Sequence, residues 1–256
     1  MILRRLGNKK KIAEQIQGYF PEHKIYIEPF FGAGGMFFYK PKVKYNIIND
    51  LDSDVFNLFQ VVSLQKEEFE KQFYAMPIHS DLLDYWKENE ETDPIRKALR
   101  FLLRSNFTYS GTGTALIFTF ADSKGQLLKM INETNKMLFG VQFDNDDFRR
   151  FLRKPNFTKG KNFRGESFIY CDPPYLETTD NYSHSFKEED SNDLFNSLKD
   201  SGCKFAMSEF DHPFILDQAK ERGLNIIYIG ERNNLKNKRT EILVTNYENN
   251  QKSLFE

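Results

Sequence analysis

Two cysteines in 256 residues, Cys171 and Cys203, are too few for a disulfide framework or a cysteine zinc site. The histidines, His23, His79, His184 and His212, show no ligand spacing, so no metal is expected. No apolar run approaches the roughly 18 residues that cross a bilayer. Five basic residues near the start, Arg4, Arg5, Lys9, Lys10 and Lys11, are followed by no hydrophobic signal core, so no secretion signal is expected. Internal repeats, coiled-coil heptads and a long low-complexity tail are also missing. The expectation left standing is a globular chain of a reducing cytoplasm, long enough for one large domain carrying a smaller insertion.

Charge of one sign is missing as well. The chain has 36 Lys+Arg against 37 Asp+Glu, which argues at first against a nucleic-acid partner. The distribution along the chain argues the other way. Three windows are free of acids: residues 1–13 hold five positive charges, residues 94–121 hold Arg96, Lys97, Arg100 and Arg104, and residues 149–164 hold Arg149, Arg150, Arg153, Lys154, Lys159, Lys161 and Arg164. If these windows meet at one cleft their fields sum, and the expected molecule has a basic cleft and an acidic back. The abundance of Phe, 26 residues, carries no functional weight by itself.

What is present reads as an interrupted α/β pattern. A helix over residues 10–19 precedes an apolar strand at 25–27, which runs into Glu28-Pro29-Phe30-Phe31-Gly32-Ala33-Gly34-Gly35. A strand entering a glycine-rich turn opens a nucleotide-binding unit. The next strand, 45–49, ends at Asp50, 22 residues after Glu28, the step at which a second acid meets a ribose. A helix follows over 54–64. From about residue 60 to 140 the alternation stops, giving helical stretches around Trp86 and a Ser/Thr/Gly-rich piece at 105–114. It resumes with strands at 167–171, 204–208, 226–229 and 241–246, helices at 190–201 and 213–222, and a polar loop at 231–240. The expected organisation is a catalytic fold formed by residues 1–58 and 141–256, with residues 59–140 inserted.

Asp172-Pro173-Pro174-Tyr175 stands directly after the strand at 167–171. The two prolines stiffen the backbone and leave carbonyls free. Asp172 supplies one acceptor, the Pro173 carbonyl a second, and Tyr175 a flat face for stacking. Two acceptors and an aromatic plane suit an exocyclic amino group on a flat heterocycle. Glu28-Pro29 ahead of the glycine turn makes a poor pyrophosphate cradle and suits a cofactor that carries positive charge and no phosphate. S-adenosylmethionine fits, with a sulfonium, a ribose for Asp50 and a carboxylate for Lys9.

The ordered set Gly7-Asn8-Lys9, Glu28 to Gly35, Asn49-Asp50-Leu51-Asp52 and Asp172 to Tyr175 resembles the Dam-like, alpha-group DNA adenine-N6 methyltransferases. Lys238-Arg239-Thr240-Glu241 with Val244-Thr245-Asn246-Tyr247 is similar to the closing pattern of that family, so the resemblance spans nearly the whole chain. It implies a Rossmann-like, S-adenosylmethionine-dependent fold with a mainly helical target-recognition insertion. It further implies that Lys9 meets the cofactor carboxylate, that Glu28, Phe30, Gly32 and Gly34 line the methionine part, that Asp50 holds the ribose, and that Asp147 and Phe148 hold the cofactor adenine. Asp172, Pro173 and Tyr175 are the implied catalytic group, and Tyr182 and Phe186 the aromatics that close over the target base. Arg104 and Asn106 lie in a stretch that matches the family's insertion motif in part, and with Arg149, Arg150 and Arg239 they are the implied DNA contacts.

The expected enzyme is a cytoplasmic monomer that methylates adenine in double-stranded DNA, with a cognate restriction endonuclease as a potential companion. Chemistry alone leaves open cytosine N4 or an RNA amine as the target, and a non-catalytic nucleic-acid-binding module that keeps the fold. A dinucleotide oxidoreductase is disfavoured by Glu28-Pro29.

Overall fold

The computed structural model describes residues 1–3, 9, 12–117, 122–154, 161–176, 186–233 and 238–248. Its strands are β1 (Ile25–Glu28), β2 (Tyr45–Asn49), β3 (Val141–Asp144), β4 (Ser167–Cys171), β5 (Lys204–Phe210), β6 (Asn225–Asn233) and β7 (Lys238–Thr245). They form one seven-stranded sheet in the order β3-β2-β1-β4-β5-β7-β6. Neighbours from β3 through β5 pair in parallel, whereas β7 runs antiparallel to both β5 and β6. Every residue of β1 and of β4 is buried, as befits central strands covered on both faces. Alternate side chains leave the sheet in opposite directions. Ile25, Ile27, Ile169, Cys171 and Met207 enter one apolar cluster, while Tyr26, Phe168, Tyr170 and Ala206 enter the other.

The helices are α1 (Ala13–Gln17), α2 (Ser53–Leu64), α3 (Lys66–Ala75), α4 (Ser80–Glu88), α5 (Pro94–Phe107), α6 (Ser123–Leu138), α7 (Phe148–Phe151), α8 (Lys161–Glu166), α9 (Glu188–Ser201) and α10 (Pro213–Glu221). Aspartates set several of their starts. Asp52, Asp93, Asp122 and Asp147 accept from the backbone N–H of Asp54, Arg96, Gly125 and Arg149, filling donors that the first turn leaves unpaired. None of the helices among the described residues is long and apolar enough to cross a membrane.

The strands expected at 45–49 and 167–171 have those bounds. The pair expected at 226–229 and 241–246 is longer, because β6 and β7 continue as a hairpin through both ends of the stretch read as a polar loop. β3 has no counterpart in the sequence reading: it is four residues long and only partly buried, too short to show a period. The helix expected at 10–19 is described only as α1, residues 10 and 11 lying outside the described set. Within residues 59–140, Phe69, Trp86, Leu99, Leu102 and Ile131 belong to the same buried cluster as Tyr26 and Phe168 of the central strands.

β1 connects outward to β2 on one side, while β4 lies on its other side. The chain order therefore reverses between β1 and β4, and a crevice opens beyond their carboxyl ends. Glu28 closes β1 at this crevice, and Asp172 follows β4 into it.

Candidate active site

The glycine turn is built against the end of β2. Gly32 N–H donates to Asp50 Oδ2 at 2.6 Å, and Asp52 N–H donates to Asp50 Oδ1 at 2.8 Å. Both carboxylate oxygens of Asp50 are thus held by backbone N–H groups, which fixes the direction in which the acid faces the turn. Phe31 N–H donates to the Asn49 carbonyl at 3.0 Å, and the Asn49 amide reaches the carbonyls of Pro29 and Asp146, each at 2.9 Å. Asn49 thus fastens the turn to the loop that carries Asp147. Gly34 has φ +72°, and a Cβ there would lie 2.4 Å from the Phe38 ring, so a side chain at this position is excluded twice over. Gly32, at φ +53°, faces open space instead.

Aromatic rings gather beside the turn. Phe30 lies 5.4 Å from Phe148 and 6.2 Å from Phe186, centroid to centroid, and Phe148 lies 6.2 Å from Phe186. The sequence reading assigned Phe186 to the target base. The structure instead joins it to the two residues expected at the cofactor, at the edge of the cluster that holds Phe148. Tyr182 lies outside the described residues.

Buried acids surround the crevice. Glu28 is 2% exposed and accepts from the Tyr26 hydroxyl at 2.7 Å. Burial pushes it up to about 8; the Tyr26 hydrogen bond and Lys40 oppose the rise, and the charges of Asp172 and Asp50 add to it. Asp172 is also raised by burial, against the pull of Lys9 and with the charge of Glu241. Its side chain is 24% exposed, whereas that of Lys9 is 3% exposed, so the acid and not the lysine faces an incoming ligand. Lys9 Nζ stands 3.0 Å from Asp172 Oδ1 and 2.9 Å from Glu241 Oε1, and it donates to the Tyr175 hydroxyl.

Tyr175 is 8% exposed, with Lys9 Nζ 4.3 Å from its ring centroid and Phe210 packed edge-on at 4.7 Å. Little of its ring is open for stacking, contrary to the sequence reading; the hydroxyl is what enters the site. Among the described residues no hydrogen bond reaches the Pro173 carbonyl. Glu209 clamps the turn after the motif, accepting from Leu176 N–H at 3.0 Å and Phe210 N–H at 2.6 Å. Glu209 and Glu241 were not singled out in the sequence. Their signal was a carboxylate inside an otherwise apolar strand, a position too costly to hold without partners.

The DNA contacts expected from the basic windows fare unevenly. Arg149 meets Asp147 at 3.2 Å and Asp190 and Asp193 at 2.6 Å each, so it fastens α7 to α9 and a phosphate would have to displace three carboxylates. Arg150 lies 3.4 Å from Asp146, and Lys154 pairs with Asp144 and Asp146. Asn106 is buried, donating to the Ile2 carbonyl at 2.8 Å and to Leu102 at 3.2 Å, which makes it an internal fastener of α5. Arg239 donates to the Leu176 carbonyl at 3.3 Å and so braces the Asp-Pro-Pro-Tyr turn. Arg96 and Lys97 pair with Glu91 and Asp54. Six of the sixteen basic residues in the three windows, Lys9 included, thus pair with carboxylates, whereas the side chains of Arg4, Arg5, Lys10, Lys11, Lys159 and Lys161 lie outside the described residues. Arg104 stands apart from these six. It is half-buried, burial and the nearby Arg100 lower its pKa, and it makes no ion pair among the described residues.

Two acceptors, Asp172 and the Pro173 carbonyl, near the acids Glu28 and Asp50 at the ends of β1 and β2 are the equipment of an enzyme that moves a methyl group onto a ring amine. Comparison with known proteins narrows this. Residues 6–250 match the family of D12 class N6 adenine-specific DNA methyltransferases, and the chain belongs to that family. It is 27% identical over 195 residues to the DNA adenine methylase of Vibrio cholerae, an alignment covering 71% of this chain and 68% of that protein. The DNA adenine methylase of Haemophilus influenzae is 30% identical over 68% of this chain and 63% of its own length. A type II methyltransferase of Lactococcus lactis subsp. cremoris, M1.LlaDCHI, is 24% identical over 95% of this chain and 94% of its own. Among solved structures, an rRNA methyltransferase from Streptomyces viridochromogenes covers 92% of this chain at a TM-score of 0.41 and 11% identity, too remote a likeness to carry an argument.

Proposed function

We propose that this DNA adenine methyltransferase takes its methyl group from S-adenosylmethionine and delivers it to the N6 of an adenine extruded from double-stranded DNA. The observation that carries the reading is Asp172, a partly exposed carboxylate among buried acids, next to the Pro173 carbonyl. The pocket residues fit a cationic donor. Glu28 and Asp50 flank the glycine turn, the open side of Gly32 leaves room, Asp50 is the acid placed to meet ribose hydroxyls, and Phe30, Phe148 and Phe186 offer an aromatic wall for adenine. When bound, that donor supplies an electrophilic methyl on a positively charged sulfur.

The protein's task is then positional. Asp172 and the Pro173 carbonyl accept hydrogen bonds from the two amino N–H groups of the adenine, turning the nitrogen lone pair toward the pocket. Lys9 holds Asp172 in place from the buried side. Extruding the base costs a few kcal/mol. In this reading residues 1–58 and 141–256 carry out the transfer, and residues 59–140 select the DNA, with Arg104, which makes no ion pair among the described residues, as one contact to it. A cytoplasmic monomer, with a cognate restriction endonuclease as companion, belongs to the same proposal.

The test is to incubate DNA with methyl-labelled donor, digest it, and identify the labelled nucleoside. N6-methyldeoxyadenosine is the expected product. Asp172→Ala should lower transfer about 100-fold or more while donor affinity stays within a few-fold; substantial turnover in that variant refutes the assignment.

A further inference from the structure

β7 brings a second carboxylate to the reacting motif. Glu241 is 0% exposed, its Oε1 accepts from the Tyr175 hydroxyl at 2.5 Å, and the same oxygen stands 2.9 Å from Lys9 Nζ. A carboxylate buried in the middle of a strand is tolerated only when its partners are fixed. Here those partners are a residue of the Asp-Pro-Pro-Tyr motif and the lysine that faces Asp172. The neighbouring Glu209 differs, since both of its oxygens serve backbone N–H groups. The sheet itself is adapted at this point. The β6–β7 ladder shifts register between Tyr228 and Gly230, and Gly230, at φ +148°, is the residue paired with Glu241. Such bulges re-aim the side chains beside them.

We propose that Glu241 is a positioning residue for methyl transfer: it fixes Lys9 and the Tyr175 hydroxyl and divides the ammonium between itself and Asp172, so that Asp172 is held without being sealed. This rests on the reading of Asp172 as acceptor of a hydrogen bond from the amino group. The charged and titratable groups that face Asp172 are Lys9, Glu241, Tyr175, Glu28 and Tyr170. Among them Glu241 acts to raise Asp172 through its charge, whereas the Tyr175 hydroxyl acts to lower it through a hydrogen bond. Removing each should therefore displace the acid limb of the transfer rate in opposite directions.

The experiment measures single-turnover methyl transfer from pH 5 to 9 with saturating DNA and donor, alongside donor affinity and thermal melting. Glu241→Gln is expected to melt cooperatively, bind donor within a few-fold of wild type, transfer about tenfold more slowly or worse, and show its acid limb at lower pH. Tyr175→Phe is expected to show its limb at higher pH. Limbs that stay in place, or that move together, overturn the proposal. If Glu241→Gln does not fold, Glu241→Asp, which keeps the charge but shortens its reach to Lys9 and the Tyr175 hydroxyl, decides by the same readouts: slowed transfer with donor affinity within a few-fold of wild type supports the inference, and a wild-type rate overturns it. A fully active Asp172→Asn sinks the underlying reading of Asp172 instead, and is distinguishable on that ground.

Discussion

Replacing Glu28 by Gln keeps the side chain's shape and an oxygen for the Tyr26 hydroxyl, but removes a group that titrates. Burial pushes Glu28 from its ordinary 4.5 up to about 8, so within that interval the folded chain holds a proton that the unfolded chain has released. An acid raised in this way leaves stability untouched below its unfolded value and removes stability as pH climbs toward the folded value. Each pH unit inside the interval costs about 1.4 kcal/mol, and its full width bounds the loss at about 5 kcal/mol. Glu209, also pushed to about 8 by burial, adds a like slope. Lys40, lowered by burial to about 8, changes stability only between there and its ordinary 10.5, outside the useful window. The wild-type protein should therefore lose up to about 3 kcal/mol per pH unit from the two acids between roughly pH 5.5 and 7.5, and Glu28→Gln about half of that. Urea titrations of the protein without donor or DNA, at three pH values in this window and constant ionic strength, give the two slopes. Identical slopes for the two proteins would refute the claim that Glu28 is buried as a protonated acid.

Two further outcomes separate structural arginines from DNA-binding ones. Arg149→Glu places a negative charge among Asp147, Asp190 and Asp193, and should lower stability by about 1 to 3 kcal/mol in a chemical melt, with the salt dependence of DNA binding preserved in the folded fraction. Arg104→Ala removes a cation that has no carboxylate partner among the described residues, so stability should hardly change. Its DNA affinity should fall, and the slope of log affinity against log salt should flatten by about 1 if the contact is to phosphate, which a binding series across salt concentrations measures.

The parts of this molecule that could be read from the chain are those in which neighbouring residues dictate the outcome. β4 is a short apolar run and β2 carries the Ile47-Ile48 pair, each closed by acids or prolines just beyond it, and Asp172 follows β4 by covalent necessity. The glycine turn was likewise legible, because Gly34 stands where no side chain fits. Where the reading differed, long-range contacts had decided the matter. Residues 149–164 look basic, yet Asp190 and Asp193 on α9 come back to Arg149, and no local pattern announces that return. Asn106 resembles a DNA contact in its motif, but the carbonyl of Ile2, 104 residues away, claims its amide. Glu241 resembles an ordinary strand-end charge until β5 and β6 enclose it.

The helices of residues 59–140 and the central strands bury their side chains in one apolar cluster rather than two, with Trp86 and Leu102 in the same interior as Tyr26 and Phe168. A segment anchored in this way is not a detachable cassette. Grafting a foreign insertion to change the DNA sequence recognised would have to import a matching interior surface as well as new contact residues, or it would hollow out the sheet beneath the catalytic turn. On the proposal that residues 59–140 select the DNA, substitution on the solvent side of α5 leaves that shared interior intact and is the shorter route to a new specificity.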